Sequence, residues 1–440
     1  MFDLAPFNNY KDQTLIKNKH LTLTYADVFS AFKSWSYYLK QIAPTGNIAL
    51  AMPNCVESHI IMLAALQCHN VVLLNIALLS VSPGLLDRLN INHLVTFDDT
   101  ANVKTNTILL DKNQVLNYRV SPNLYPLPTS NSLVFISSGT TGNANPTEFT
   151  SAETILFSQS LLSKINFQDS DCLYNVAPYY HAIGFINIFT AINTGGSYYI
   201  PGNTDYKNII NDINQFGCTW ICAVPNLAKI MIKSPGEIHS NFRLAMVGGD
   251  ICNAALCKDF RERFRLDLLA NYGFTEGGGC ISITTPDAHK DGSVGKINPK
   301  LVKLIDNEVY ARRLCSKSNS WVSTGDIGTI DEDGYLWIKS RKKDTIKRQG
   351  KTIFPAELEE HLEKVEGVVE VVVYKDTQNN RGDRIGVVYT GTITEDELKA
   401  YCVDKLHSDY YPHKILKLQS IPKFNNKISR IQIKNYVDQL

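Results

Sequence analysis

Five stretches of the chain carry side chains suited to holding an anion, a purine or a reacting carboxylate. Ser137-Ser138-Gly139-Thr140-Thr141-Gly142 follows the apolar run SLVFI. Small residues let a backbone fold closely around an anion, and exposed amides and threonine hydroxyls donate to phosphate oxygens. The stretch lacks the Gly-Lys-[Ser/Thr] ending of a Walker loop, so it is not one. Asn271-Tyr272-Gly273-Phe274-Thr275-Glu276 ends the run LDLLA and is followed by Gly277, Gly278 and Gly279. An amide, a flat ring, a hydroxyl and a carboxylate at one strand end suffice to grip adenine and to hold a magnesium ion through oxygen. Trp321 to Asp326 closes on a carboxylate able to accept two hydrogen bonds from ribose hydroxyls. A basic stretch runs from Arg341 through Lys343 to Gly350-Lys351, and Lys427 stands on a turn-like Asn pair before a short helix. Taken singly, each has an ordinary reading as a surface loop, a core aromatic or a solvated charge.

The elements that must position these residues alternate in period. NIALAMP from residue 47 reads as a strand, with Asn54 capping a helix and Glu57 completing a capping box. VVLLN, HLVTF and NTILL continue a first strand series. After a Pro/Ser/Asn-rich link at 121–131, SLVFIS opens a second one: LYNVAP, SYYIP, TWICAVP, FRLAMVGG and LDLLANY, with helix-length segments such as 206–216 and 254–265 between them. Strands alternating with helices predict an α/β fold with mainly parallel sheets, whose ligands bind at the carboxyl ends of strands. Beyond residue 290 short β-like pieces gather around an Asp331-Glu332-Asp333-Gly334 turn, and the last hundred residues read as a small α+β domain.

Composition bounds the remaining possibilities. The 440 residues are 44% hydrophobic and 20% charged, and a formal net charge of +1 excludes a broadly basic nucleic-acid binder. The length favours two or more domains. No apolar run reaches the roughly 18 residues of a membrane span, and the opening MFDLAPFNNYKDQ has no signal-peptide pattern, so no integral membrane segment and a cytoplasmic location are expected. The ten cysteines are scattered. The closest pairs, Cys218/Cys222 and Cys252/Cys257, make no C-x-x-C, so neither a zinc site nor a dithiol is expected and a reducing compartment fits.

Order and spacing bind the separate stretches into one pattern. The chain resembles the adenylate-forming superfamily of acyl- and aryl-CoA synthetases, luciferases and nonribosomal peptide synthetase adenylation domains. The resemblance runs from Leu23-Thr24-Tyr25-Ala26-Asp27 through SSGTTG, PYYHAIG at 178–184, VGGD at 247–250, NYGFTE, GSVGK at 292–296, STGD and the hinge stretch SRKKDTIKRQGKTIFPAELE to Lys427 and Arg430. It implies a large N-terminal lobe of parallel-rich sheets packed with helices plus a β-rich subdomain, residues 1–342, and a small mobile α+β C-terminal domain, residues 343–440. It further implies two half-reactions: a carboxylate attacks ATP to give an acyl-adenylate and pyrophosphate, and a thiol then takes the acyl group and releases AMP.

The same resemblance assigns roles residue by residue. Ser138, Gly139, Thr140, Thr141 and Gly142 would hold the leaving phosphates, with Thr141 counted among the catalytic groups, and Glu276 the magnesium. Gly248, Gly249, Asn271, Tyr272, Gly273 and Thr275 would surround adenine; Asp326 and Arg341 would position ribose. Lys427 would bridge the substrate carboxylate and the adenylate oxygens. Lys343 would be the pivot that exchanges Lys427 for the segment around Gly350-Lys351, which guides the thiol. The thiol is that of coenzyme A or of a carrier-protein phosphopantetheine arm.

Departures from the family pattern are specific. Ala144-Asn145-Pro146 replaces the usual Pro-Lys-Gly, so the phosphate-loop lysine is missing. Ser340 and Asn426 replace glycines. No Asp near PYYH pairs with an α-ammonium. His181 stands there with Tyr179 and Tyr180, which favours an acid without an α-amino group; His181, counted with Thr141, Glu276 and Lys427 as catalytic, gates the pocket, contacts an aryl acid or simply packs against the following helix. Gly277 to Gly279 are expected to leave room for an aryl or medium acyl group. A weakened nucleotide-binding regulatory protein is the alternative of a different class.

Overall fold

The computed structural model describes residues 2–81, 84–98, 106–120, 131–138, 144–162, 164–202, 206–313, 320–348, 351–376, 383–422 and 428–440. Packing density divides the chain into two units, Met1–Val302 with Ala311–Val322, and Lys303–Tyr310 with Ser323–Leu440.

The first unit contains two sheets. One has the order Asn106–Leu109, Ile91–Thr96, Asn47–Leu50, Asn70–Leu73, Ser132–Ser138, Ala144–Thr150, parallel except for the last pair. The other runs Gly279–Ile283, Leu268–Phe274, Leu244–Val247, Trp220–Ala223, Cys172–Tyr174, Ser197–Tyr199, Thr14–Lys17, Thr22–Thr24, with six parallel strands between two antiparallel edges. The expected strands are present as an α/β fold. Strand Ala144–Thr150 and the N-terminal hairpin are additions that no alternating pattern announced.

One apolar cluster joins residues of both sheets, such as Leu50, Leu73, Phe135, Leu173, Trp220 and Met246, with helices Tyr25–Ile42, Val56–Cys68 and Ala182–Thr194. Helix Val56–Cys68 has apolar residues on every side and is buried almost throughout, as a core helix must be. Its N-cap is Cys55, one residue later than expected, with Ser58 closing the capping box. Asn54 is instead used across the fold: its Oδ1 lies 2.9 Å from His59 Nε2 and accepts from the Tyr179 amide at 3.4 Å.

In the second unit, Val368–Asp376, Arg384–Gly391 and Lys414–Lys417 form a three-stranded sheet. Alternate side chains serve opposite faces. Val371, Val373, Val387 and Tyr389 pack with Leu358, Leu362 and Leu398, whereas Val372, Tyr374 and Val388 pack with Ile433 and Val437. Arg430, at the start of helix Arg430–Val437, donates to both Glu359 oxygens at 2.9 and 2.7 Å and to the Val373 carbonyl. This charge-assisted clamp, made by Nη2 to both carboxylate oxygens, anchors the chain three residues beyond Lys427.

Candidate active site

Parallel pairing of Leu244–Val247 with Leu268–Phe274 aligns Val247 with Ala270 and so brings the next residues, Gly248 and Asn271, side by side. A Cβ on Gly248 would lie 2.2 Å from Asn271 Oδ1, so only glycine permits the approach. Gly249 has a φ of +79°, and nothing lies within 4 Å of where its Cβ would be. The strand end therefore presents bare backbone to open space beside a carboxamide. Asn271 Nδ2 is 3.6 Å from Cys222 Sγ, which steadies the amide, and Asn187 donates to the Cys222 carbonyl at 3.2 Å.

Tyr272 and Gly273 continue the strand, and Tyr272 is buried, as the core reading of that ring requires. Thr275 and Glu276 form the following turn, Thr275–Gly277, where Glu276 is partly exposed. A hard carboxylate oxygen on a short turn at a strand end suits magnesium. The expectation of free room at Gly277–Gly279 is corrected. A Cβ on Gly277 would meet the Phe274 ring at 2.4 Å, and one on Gly279 would meet Ser160 Oγ at 2.5 Å. These glycines serve close packing and the left-handed turn, with φ of +79° at Gly278 and +114° at Gly279.

His181 is the N-cap of helix Ala182–Thr194, and its ring lies 4.9 Å from that of Tyr180. Tyr179 is fully buried, its hydroxyl 3.3 Å from the Met52 backbone, and burial raises the pKa of the phenol. Gly184 completes the motif because a Cβ there would lie 2.1 Å from the Pro178 carbonyl. Ser138 pairs with Ala144 and Ser137 with Asn145, which ties both ends of the expected phosphate loop into one hairpin. Gly139, Thr140, Thr141 and Gly142 themselves lie outside the described residues, as do Gly350 and Lys427.

In the second unit the two expected ribose contacts are brought together. Asp326 stands opposite Arg341 in the antiparallel pairing of Trp321–Ile330 with Leu336–Arg341. Arg341 Nε is 3.0 Å from Asp326 Oδ1, and Nη1 donates to the Thr324 carbonyl at 3.1 Å. Asp326 is buried while the guanidinium is half exposed, and Gly325, with φ of +72°, opens the backbone between them. Lys342 reaches Glu308 at 2.7 Å, whereas desolvation lowers the pKa of the amine of the next residue, Lys343. Lys351 is paired with Asp409.

Sequence reasoning gave Asn54 only a capping role and missed its link to PYYH through the Tyr179 amide, and it missed Asn187. An asparagine inside the apolar helix run GFINIF was the available signal for the latter.

The family of AMP-binding enzymes matches residues 5–312. The chain belongs to that family. Among its relatives are the 2-succinylbenzoate–CoA ligases of Oceanobacillus iheyensis, 25% identical over 65% of this chain and 66% of that protein, and of Listeria monocytogenes, 26% identical over 68% and 69%. The chain thus spans about two thirds of the length of these relatives. It is also 26% identical to the 4-coumarate–CoA ligase-like 5 protein of Oryza sativa over 56% of this chain and 48% of that one.

Among solved structures, the o-succinylbenzoate CoA synthetase of Bacillus subtilis with its acyl-adenylate intermediate superposes with a TM-score of 0.84 at 21% identity, covering 98% of this chain and 97% of that one. An anthranilate CoA ligase with anthranoyl-AMP gives 0.85 at 18% identity, covering 99% and 98%. The adenylate-forming fold therefore extends over nearly the whole chain. Among the described residues no helix is long and apolar enough to cross a membrane.

Proposed function

We propose that this AMP-binding family member is an ATP-dependent carboxylic acid–CoA ligase, acting through an acyl-adenylate on an acid without an α-amino group, an aryl acid before a medium acyl one. The observation that carries the reading is the strand end where Gly248 closes on Asn271 and Gly249 faces open space, one turn from Glu276. The relatives named as 2-succinylbenzoate–CoA ligases support an aryl acid.

In this reading the Gly248-Gly249 edge and Asn271 receive adenine, while Tyr272 and Gly273 shape the strand beside it and Thr275 the turn that follows. Asp326 accepts from the ribose hydroxyls, and Arg341, 3.0 Å away, keeps that carboxylate aimed. Ser138, Gly139, Thr140, Thr141 and Gly142 donate to the phosphates. Glu276 would hold magnesium, which supplies charge neutralisation on the phosphate oxygens. The acid's carboxylate attacks the α-phosphorus, the bond to the bridging oxygen breaks, and pyrophosphate leaves. Lys427 offsets the charge on the approaching carboxylate, the dominant electrostatic problem of this step. His181 lines the acid side of the pocket. The thiol then attacks the acyl carbon, AMP departs, and one proton is released.

Residues 343–440 move as a lid about Lys343, exchanging Lys427 for Gly350-Lys351 between the half-reactions, so that two incompatible geometries are separated in time. Lys351 leaves Asp409 for the thiol in that exchange. The acceptor is coenzyme A; a carrier-protein pantetheine arm presents the same thiol, and rates with the two acceptors separate them. The cytoplasm is the proposed location. Acid-dependent exchange of labelled pyrophosphate into ATP, across a panel of aryl and acyl acids, tests the reading. ATP binding without exchange for any acid would replace it with a nucleotide-binding regulatory protein. Lys427→Ala is expected to abolish exchange while sparing thioester formation from supplied acyl-adenylate, and equal loss of both would remove Lys427 from its role.

A further inference from the structure

Away from the strand-end site, the first unit gathers Cys252, Cys257, Arg261, Asp267, His289 and Asp291. The ligating atoms of Cys257, His289 and Asp291 all lie within 4.8 Å of one another, a spacing that suits a metal ion. Arg261 argues against one. Its Nη1 and Nη2 donate to the two Asp291 oxygens at 3.0 and 2.5 Å, its Nε donates to Asp267 at 2.5 Å, and Nη2 stands 3.4 Å from His289 Nδ1. A fixed cation already fills the place a second one would need.

What the cluster sets beside the Cys257 sulfur is a histidine flanked by two carboxylates. His289 Nε2 is 3.3 Å from Asp291 Oδ1, and its Nδ1 is 3.9 Å from Asp267 Oδ1. Cys257 Sγ lies 3.5 Å from Cys252 Sγ, and it sits in the first turn of helix Ala254–Phe264, whose N-terminal end favours negative charge. The hydrogen bond from Cys252 first, and then those from His289 and the Gly292 amide, hold the Cys257 thiol well below its ordinary value against the effect of burial. The Cys252 thiol is raised correspondingly by its hydrogen bond to Cys257 and by burial, with the charge of Lys229 opposing them. Both cysteines are buried, so only a small oxidant can reach the pair, and each thiol stands within reach of the other. Packing of N′ against N4 explains why two apolar residues would meet here, but not why a His and two carboxylates face them.

We propose that Cys257 is an oxidant-sensitive thiolate and that Cys252 and Cys257 close a reversible disulfide when a hydroperoxide meets the protein. The Cys257 thiolate attacks one peroxide oxygen, the O–O bond breaks, and the departing hydroxide takes the His289 proton to leave as water, giving Cys257 sulfenic acid. Neutral His289 then accepts the Cys252 proton. The Cys252 sulfur attacks Cys257, and hydroxide leaves and is protonated to a second water. Two thiols lose two hydrogens and the peroxide is reduced to two waters. Closing the bond draws the sulfurs from 3.5 Å to about 2 Å at the end of the connection that begins with Gly248-Gly249. A transient bond of this kind is the form cytosolic disulfides take.

Cys55 supplies the internal control, because it is the most exposed of the described cysteines while burial raises its thiol. The full chain is treated with dilute hydrogen peroxide, quenched with an alkylating agent in denaturant and mapped by peptide mass. A Cys252–Cys257 disulfide appearing before Cys55 is oxidised, and reversed by dithiothreitol, is the expected result. Cys252→Ser should instead leave a sulfenic acid on Cys257 that dimedone traps. His289→Gln should slow oxidation at least about tenfold, because the departing hydroxide loses the acid that protonates it. Oxidation of Cys55 first, full alkylation of both cysteines after peroxide, or a natively folded His289→Gln that oxidises at the parental rate would overturn the proposal.

Discussion

The two ends of the eight-stranded sheet are built on opposite plans. At the amino ends, Asp171, Thr219 and Arg243 immediately precede three strands that lie side by side in parallel. Asp171 Oδ1 accepts from Arg243 Nε at 2.8 Å and Thr219 Oγ1 at 2.7 Å, while Oδ2 accepts from the Gln168 amide at 2.8 Å and from Arg243 Nη2. Thr219 Oγ1 in turn accepts from the Cys172 amide. At the carboxyl ends stand Gly248, Gly249 and Asn271, with open space beside Gly249. Charge that is saturated by its neighbours holds strands together, whereas backbone that faces open space is available to a ligand. Polarity alone does not mark a site; the difference lies in the space left beside it.

Substitutions at the two ends should therefore separate chemistry from stability. The largest effect is expected from Glu276→Gln: a loss of about 10²–10³ in pyrophosphate exchange at fixed magnesium, with an unchanged urea midpoint, if the carboxylate acts on developing charge. Asp171→Ala should do the reverse. It strands a partly exposed guanidinium and a threonine hydroxyl, costing about 2–4 kcal/mol in urea unfolding, while exchange per folded molecule stays at the parental value. A third variant, Gly248→Ala, pushes Asn271 aside and should raise the Kd for ATP about tenfold by calorimetry, with about 1 kcal/mol or less of stability lost. Equal effects of Glu276→Gln and Asp171→Ala on both readouts would erase the contrast.

The smallest expected effect is on pH. Burial works to raise the Asp171 carboxyl, but the hydrogen bonds from Arg243, Gln168 and Thr219 outweigh it and leave it lowered. Its contribution is then fully present above the unfolded value of about 4 and is lost as pH falls through the lower folded value. Urea unfolding followed below pH 5 should show a steeper acid loss for the parent than for Asp171→Asn. Superimposable acid limbs would mean that the network does not set this titration.

How much of this was legible beforehand follows the range of the interactions. Strands such as Leu244–Val247 and Leu268–Phe274 were readable because each is a short apolar run bounded by turn residues, and the parallel class follows from the helices between them. The helix start after Met52 was misplaced by one residue because Asn54 is a good cap by type. Its carboxamide is claimed by His59 within the helix itself and by Tyr179 from elsewhere in the fold. Gly277–Gly279 looked like open space for the same reason: a glycine's neighbours are not written beside it.

From its sequence alone the chain declared an adenylate-forming pattern, the order of its motifs and the loops in which chemistry belongs, because these rest on periodicity and on residues adjacent in the chain. Only the tertiary structure decided that Gly248 meets Asn271, that Asp326 stands opposite Arg341, that Asp171 is saturated, and that Cys257 lies between Cys252 and His289. Strand register and crossover connections set those meetings. Both are fixed by packing of the whole core rather than by the few residues that end up touching.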